Sequence, residues 1–381
     1  MNKKFKLTYI LHYPLGVDNN SIYNLDLLNT YFSLISQNFN VSLVGTKIKK
    51  DFYHNSLLTN RVNSILLSKK SNKNIIKKTS TTFKAIRSSD VCFLFMPSMS
   101  AVLAGLICFI VRKPFVTYFG ANWHDLIITN NPKRVLEANF KKWFSNFLSR
   151  NSIFTLHTGK GILESHKGNN KYLTSPIFNL STELFYQRST YKDLLKSSTI
   201  QILFVGTLSK NKGVSYLLDA LAIVNNEKIT LEIIGDGPEK DNLKNQAIKL
   251  GIASQVYFHG FISNGPEVFD FYKKSDMFIL PSFSEGLPRV LYEAAGNGCP
   301  IITTPVNSVP YLFKDNYDCI FIKPGDKLSI ANAINRLIKE SRLNKTLALN
   351  AYKTVEPILK EKAYEQHSRL IQKYLKKHEM L

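Results

Sequence analysis

The chain has 381 residues, 44% of them hydrophobic and 20% charged, which excludes a disordered chain and leaves room for two separate cores. Fifty Lys and Arg against 28 Asp and Glu give a formal net charge of +22, which points to an anionic partner. Four cysteines (Cys92, Cys108, Cys299 and Cys319) stand apart without a C-x-x-C pair, so buried reduced thiols are expected rather than disulfides or a thiolate metal site.

The N-terminus runs from basic MNKKFK straight into an apolar strand, without the form of a signal peptide. Strand-like runs of β-branched and aromatic residues fall at 6–11, 41–45, 91–95, 115–118 and 152–156, then at 201–205, 230–234, 256–259, 277–280 and 300–303. Helical patterns separate them, which predicts βαβ units, parallel sheets and an α/β fold with two Rossmann-like domains. The polar segment 181–198 places the boundary, giving domains at 1–185 and 186–350 and a helical segment at 351–381 that packs back on the first domain. The basic stretch 68–78 reads as a solvated loop or helix face. The longest apolar run, 101–111, is too short to span a bilayer and ends in Arg112-Lys113-Pro114, so a cytoplasmic protein is expected. Residues 131–150 form a helix with Leu136, Phe140, Trp143, Phe144, Phe147 and Leu148 on one side and a basic fringe. Packing of that side on the first sheet is favoured over an interfacial role.

The charge is uneven. Residues 1–190 carry 25 Lys and Arg against 8 Asp and Glu (25 − 8 = +17), whereas residues 191–381 carry 25 against 20 (25 − 20 = +5). An anionic membrane surface, an anionic glycan or a nucleic acid would suit the first half. The chain lacks the interleaved aromatic and basic motifs of RNA-binding sheets and any DNA-reading helix, so nucleic acid is not expected.

The most informative segment is DMFILPSFSEGLPRVLYEAAGNGCPIITTP, residues 276–305. A strand ends in a loop, and a helix opens at Pro288 and stops at Gly296 and Gly298. Ligands bind at the carboxyl ends of such strands, and the amides near Leu287, Arg289 and Val290 suit a phosphate. Glu285 and Glu293 lie eight positions apart, each able to accept hydrogen bonds from a sugar diol. Upstream, FVGTLSKNKG (204–213) ends a strand at Gly206 and offers Lys212 to a diphosphate. LEIIGDGPEK (231–240) turns at Gly235 and Gly237 but has Lys240 where a dinucleotide fingerprint needs glycine, which disfavours NAD.

These motifs, G-x-L-x-x-x-K-G, I-G-D-G-P, V-x-F-x-G and E-x7-E, stand in order over about residues 200–305. The second half thereby resembles the donor-binding domain of the retaining GT-B glycosyltransferases of family 4 type, the glycosyl transferases group 1 domain. The resemblance implies two Rossmann-like domains facing each other across a cleft. It implies that Glu293 holds ribose hydroxyls and Glu285 the donor sugar. Lys212, with the amides near Gly286, Leu287 and Val290, would stabilise the departing nucleoside diphosphate, and main chain near Phe261 and Ile262 would border the base. Thr207 stands where the family often has Arg, with Lys210 or Arg289 as substitutes.

The first half matches more loosely. Gly16, in YPLGVDNN (13–20), stands for a glycine-containing loop that faces the diphosphate. In PFVTYFGANWHD (114–125), aligned on Gly120, the family's His and Asp become Phe119 and Asn122. His124 is a candidate for the reaction centre, and Asn122 and Asp125 for acceptor contacts. No D-x-D and no Cys/His cluster are present, so no metal or other cofactor is expected beside a UDP- or GDP-sugar substrate. The expected reaction is transfer of a sugar, with its anomeric configuration retained, to a hydroxyl of a glycan or lipid-linked acceptor. A lipopolysaccharide or capsule precursor at the cytoplasmic membrane face fits, with the protein peripheral there. The rivals are a sugar-nucleotide epimerase or phosphorylase of the same fold, or a basic nucleic-acid-binding protein.

Overall fold

The structure, a computed structural model, describes residues 4–11, 15–18, 21–24, 26–49, 56–58, 62, 64–69, 75–168, 170–175, 177, 188, 190–262, 265–285, 288–360 and 363–379. Parts of four segments read from the sequence lie outside them: 70–74 of the basic stretch, 13–14 and 19–20 around Gly16, 181–187 and 189 of the boundary, and 286–287 of the segment 276–305. The chain divides into two compact units, Met1–Asn179 with Glu361–Leu381, and Leu180–Lys360. The first changeover thus falls just ahead of residue 185, and the chain rejoins the first unit after 360 rather than 350.

The first unit contains β1 (Lys6–Ile10), β2 (Leu15–Asp18), β3 (Ser21–Asn24), β4 (Asn40–Lys49), β5 (Ser56–Leu57), β6 (Ser64–Lys69), β7 (Val91–Met96), β8 (Phe115–Phe119), β9 (Phe154–His157) and β10 (Lys171–Leu173). They form one sheet in the order β10-β9-β8-β7-β1-β4-β2-β3-β5, with β6 also paired to β4. All six residues of β7 are buried, as an apolar strand covered on both faces must be. Val91, Phe93 and Phe95 face one apolar layer, and Cys92, Leu94 and Met96 the other. The run 101–111 is the core helix Met99–Ile110, and among the described residues no helix is long and apolar enough to cross a membrane. All four cysteines are buried and free. Gly16 is not in a loop: it sits in β2, opposite Tyr23 and beside Ile48 of β4.

The C-terminal helix Ala363–Glu379 belongs to this unit, with Ile371 and Leu375 packed among Leu28, Tyr31 and Phe32. Its anchor is His367, fully buried. Nδ1 lies 2.8 Å from the Tyr31 hydroxyl and Nε2 lies 2.8 Å from the Thr174 hydroxyl, while the rings of Phe93 and Tyr118 flank it. Burial drives its pKa from the ordinary 6.5 to about 3, because a charge there would be desolvated with no counter-ion beside it.

The second unit contains β11 (Ile200–Val205), β12 (Ile229–Ile234), β13 (Val256–Gly260), β14 (Met277–Leu280), β15 (Ile301–Thr303) and β16 (Ile320–Phe321). They form a parallel sheet in the order β13-β12-β11-β14-β15-β16. The order reverses between β11 and β14, and such a switch point opens a crevice at the carboxyl ends of the strands. Two glycines let the loops at those ends nest. Gly235, after β12, has φ +139°, and a Cβ there would run into the carbonyl oxygen of Gly206 after β11. Gly213 has φ +68°, and its Cβ would strike the carbonyl of Pro281 after β14. No other residue type meets both requirements.

Two outcomes follow from this packing. His367 must stay neutral to remain buried, so its contribution is complete above the ordinary value of 6.5 and is lost as pH falls towards about 3. His367→Gln is expected to cost on the order of 2 kcal/mol at pH 7.5, from disturbed partners of two buried hydroxyls. It should also flatten the loss of thermal stability between pH 6.5 and 4. The flattening will be partial, since burial also takes His157 to about 3. Equal acid slopes in variant and parent would refute the role. For the loop nest, Gly235→Ala and Gly251→Ala both place Ala at positive φ, but only the first meets backbone. Denaturant unfolding should show Gly235→Ala as the more damaging by about 1–3 kcal/mol; equal losses would mean the loops do not depend on that approach.

Candidate active site

The crevice residues of the second unit come from three loops. After β11 the chain passes exposed Thr207 and Lys210 into a single turn, Lys210–Lys212, closed by Gly213. After β14 it follows the buried sequence Pro281, Ser282, Ser284 and Glu285. Asn211 ties the two together: its carbonyl accepts the Phe283 N–H at 2.9 Å, and its Nδ2 donates to the Ser284 carbonyl at 2.9 Å. Asn307 donates to the Glu285 carbonyl and, at 3.1 Å, to Ser284 Oγ.

This frame brings Lys212 Nζ to 2.6 Å from Glu285 Oε1. The Ser282 hydroxyl donates to the same oxygen at 2.6 Å. The two residues read from the sequence as holding different parts of one ligand are therefore joined directly. Glu285 is 8% exposed, and both of its donors come from within the nest. Gly286 and Leu287 lie outside the described residues.

Glu293 sits in the helix Arg289–Gly296, which Pro288 caps in an extended conformation. The amides of Arg289 and Val290 open that helix, and the first amides of a helix have no partner within it. Glu293 is buried, and the Tyr272 hydroxyl donates to its Oε2 at 3.0 Å. Full burial and the adjacent Glu293 carboxylate hold the Tyr272 phenol well above its ordinary pKa, making it a fixed donor. Tyr272 is positioned in turn by Arg188, whose guanidinium donates to the carbonyls of Tyr272, Lys273 and Ser275 at the end of the helix Pro266–Lys274. Arg289 is exposed.

The Gly235–Gly237 turn closes on itself. Asp236 Oδ1 accepts the Gly237 N–H at 2.8 Å and Oδ2 meets Lys240 Nζ at 2.7 Å. Lys240 and the Gly237 amide together keep the Asp236 carboxyl below its ordinary range. The side chain in the place of a dinucleotide fingerprint's third glycine is thus a partner for the turn's own acid. Phe261 and Ile262 follow β13, Phe261 being exposed.

In the first unit, Asn122 caps the helix Trp123–Asn130, its Oδ1 accepting the His124 N–H at 3.1 Å. His124 Nδ1 lies 3.2 Å from Asp125 Oδ1. Phe119 stacks on His157 with centroids 5.2 Å apart and planes at 8°. Burial, with the charges of His166 and Lys171, takes His157 to about 3. Sequence reasoning passed over His157, Ser282, Tyr272, Asn307 and Arg188. Each acts through a tertiary partner, and only Ser282, three positions before Glu285, carried a local signal.

Residues 188–354 match the family model described as Glycosyl transferases group 1. Protein CapJ of Staphylococcus aureus is 24% identical over 390 residues, covering 96% of both chains. The GalNAc-alpha-(1->4)-GalNAc-alpha-(1->3)-diNAcBac-PP-undecaprenol alpha-1,4-N-acetyl-D-galactosaminyltransferase of Campylobacter jejuni is 31% identical over 185 residues, 48% of each chain. Apart from CapJ, the chain spans about half or less of the length of several curated relatives it matches. Among solved structures, Anabaena Alr3699/HepE in complex with UDP and glucose superposes with a TM-score of 0.72 at 17% identity, covering 98% of this chain and 100% of that one. Residues 188–354 thus match the glycosyl transferases group 1 domain, and the fold of the chain is that of the GT-B glycosyltransferases.

Proposed function

We propose that the protein transfers a sugar from a nucleoside diphosphate donor to an acceptor hydroxyl with retention of anomeric configuration. The observation that carries this reading is the Lys212–Glu285 pair at 2.6 Å, with Glu285 four positions ahead of the helix that opens at Arg289. A cation and free amides suit a diphosphate, and a nearby carboxylate suits sugar hydroxyls. An arriving diphosphate competes for Lys212 Nζ, which leaves Glu285 held by Ser282 and able to accept from the sugar. Lys212 then stabilises the charge that grows on the leaving diphosphate. No carboxylate in the first half has an evident claim as a nucleophile, so attack on the face of departure is favoured over double displacement.

Glu293, kept in one rotamer by Tyr272, accepts from the ribose hydroxyls in this reading, with Phe261 and Ile262 beside the base. UDP is the first candidate because HepE is seen with UDP and glucose. The sequence carries no D-x-D, so the charge-balancing role falls to Lys212 and the amides rather than to a metal. His124 and Asp125 are the proposed acceptor-side polar pair. A lipid-linked glycan, such as a capsule or lipopolysaccharide precursor, fits the acceptor. The Campylobacter relative is named for an undecaprenol-linked glycan, and the basic excess of residues 1–190 (25 − 8 = +17) suits the anionic cytoplasmic face of a membrane.

A thermal-shift panel of nucleoside diphosphates tests the donor, since a true ligand raises the melting temperature by mass action. UDP is expected to shift it and GDP much less. Release of UDP only when acceptor is present would separate transfer from epimerase chemistry. Glu293→Ala should weaken UDP itself by about tenfold or more through the lost diol contact, while Glu285→Ala slows transfer and leaves UDP affinity nearly intact. Lys212→Ala should lower turnover by about 10²–10³, and activity should survive EDTA. Equal effects of the two glutamate variants on UDP binding would refute the assigned roles. Thr207→Arg is expected to raise donor affinity if the site is one cation short.

A further inference from the structure

The helix Val135–Asn151 packs on the first unit through Ala138, Ser145, Leu148 and Ser149. Only the C-terminal part of its apolar side turns inward as the sequence pattern suggested: Leu148 is buried, and Phe144 and Phe147 pack against the core. Leu136 is 87% exposed, and Phe140 and Trp143 are each 59% exposed. The end of the neighbouring helix Met99–Ile110 adds Phe109 and Ile110, the latter 76% exposed. These side chains are locked together. Trp143 stacks on Phe147 at 5.8 Å, Phe147 meets Phe109 at 5.2 Å, and Phe140 meets Phe144 at 4.9 Å. Positions 136, 140, 143 and 147 follow the i, i+4, i+7, i+11 spacing of one helix face, so a continuous apolar stripe runs roughly 16 Å along the helix.

Cations surround the stripe. Lys133, Lys142, Arg112 and Arg150 are exposed, whereas Arg134 and Lys141 are held by Glu137, and Lys141 also lies over the Trp123 ring. A contiguous apolar patch of this kind marks an interaction surface rather than ordinary surface wear. Its chemistry selects the occupant. A second copy would bring two basic rims face to face, in a half already at +17 (25 − 8). An anionic bilayer accepts the aromatic and aliphatic side chains at the depth of the acyl boundary and neutralises the rim.

We infer that the stripe Leu136–Phe140–Trp143, extended by Phe109 and Ile110, is the surface by which this protein docks on an anionic membrane. It lies in the plane of the interface rather than across it. This deepens, and rests on, the reading that the acceptor is carried at a membrane.

The test uses the full chain with vesicles of phosphatidylglycerol and phosphatidylcholine, or of phosphatidylcholine alone, read by co-sedimentation. The variant Leu136→Ser, Phe140→Ser, Trp143→Ser changes exposed side chains only and should keep the parental melting temperature. It is expected to lose binding to the anionic vesicles by about tenfold or more. Transfer to a soluble acceptor analogue should be unchanged. Lys133→Gln with Lys142→Gln should weaken binding in a way that low salt reverses. Parental vesicle binding by the triple variant would overturn the assignment, as would equal binding of the parent to neutral vesicles. Self-association that the triple variant abolishes, with no vesicle binding by the parent, would overturn it in favour of a second copy. The UDP panel reads a different unit, so a failed donor assignment with intact vesicle binding would leave this surface standing.

Discussion

The nested loops of the second unit depend on the contact between Lys212 and Glu285. Both groups are largely withdrawn from water, at 22% and 9% side-chain exposure, where an unpaired charge is costly. Each therefore needs the other while no ligand is bound, and the needed distance is reached only if the loops after β11 and β14 approach closely. Gly213 permits that approach by leaving room for the Pro281 carbonyl, and Asn211 fixes it with two hydrogen bonds. A side chain at Gly213 would strike the Pro281 carbonyl and so force apart the loops that carry the pair.

Much of this was legible in the sequence, and the reason is local. Strand β14 falls at the residues read from the sequence, and nine others fall within a few residues of their reading, since buried parallel strands are short apolar runs bounded by glycine or proline. Strands β2, β3, β5, β6, β10 and β16 were not legible. Several lie at sheet edges, where pairing is set by tertiary position and not by an apolar run. Gly16 shows the same limit: a glycine after a strand reads as a phosphate loop, but here it joins the hairpin of β2 and β3. Composition put the boundary in residues 181–198, and the changeover falls just ahead of them, between 179 and 180. The last helix returns to the first unit, where His367 holds it through Tyr31 and Thr174, partners distant in sequence.

The candidate site was legible as a set of residues and illegible as a network. Glycine spacing and E-x7-E single out Lys212, Glu285 and Glu293, and the structure pairs the first two and buries the third in the following helix. What holds them does not follow from spacing. Tyr272 is 21 positions from Glu293, on a different helix, and Arg188 reaches it only through three carbonyls. The aromatic helix 131–150 was legible only in part for a related reason. Its periodicity gives one apolar face, of which Phe144, Phe147 and Leu148 pack inward while Leu136, Phe140 and Trp143 stay exposed, because the small residues Ala138, Ser145 and Ser149 supply the rest of the buried contact. Periodicity finds the stripe and cannot say which side the core takes.

The two buried carboxylates end up in different electrostatic situations, and this bears on their proposed roles. Glu293 has a neutral donor, the Tyr272 phenol, which cannot be drawn away by an anion. Glu285 has a cationic donor and a hydroxyl on the same oxygen. In the proposed reading, a diphosphate that competes for Lys212 would alter the geometry at Glu285 and leave the Tyr272 contact of Glu293 in place. Ribose recognition by Glu293 would then be set before binding, whereas the sugar-facing carboxylate would be released only once the diphosphate has engaged the lysine. A free sugar lacks the charge to make that exchange. In the reading proposed above, a single ion pair would couple recognition of the leaving group to availability of the group that orients the sugar.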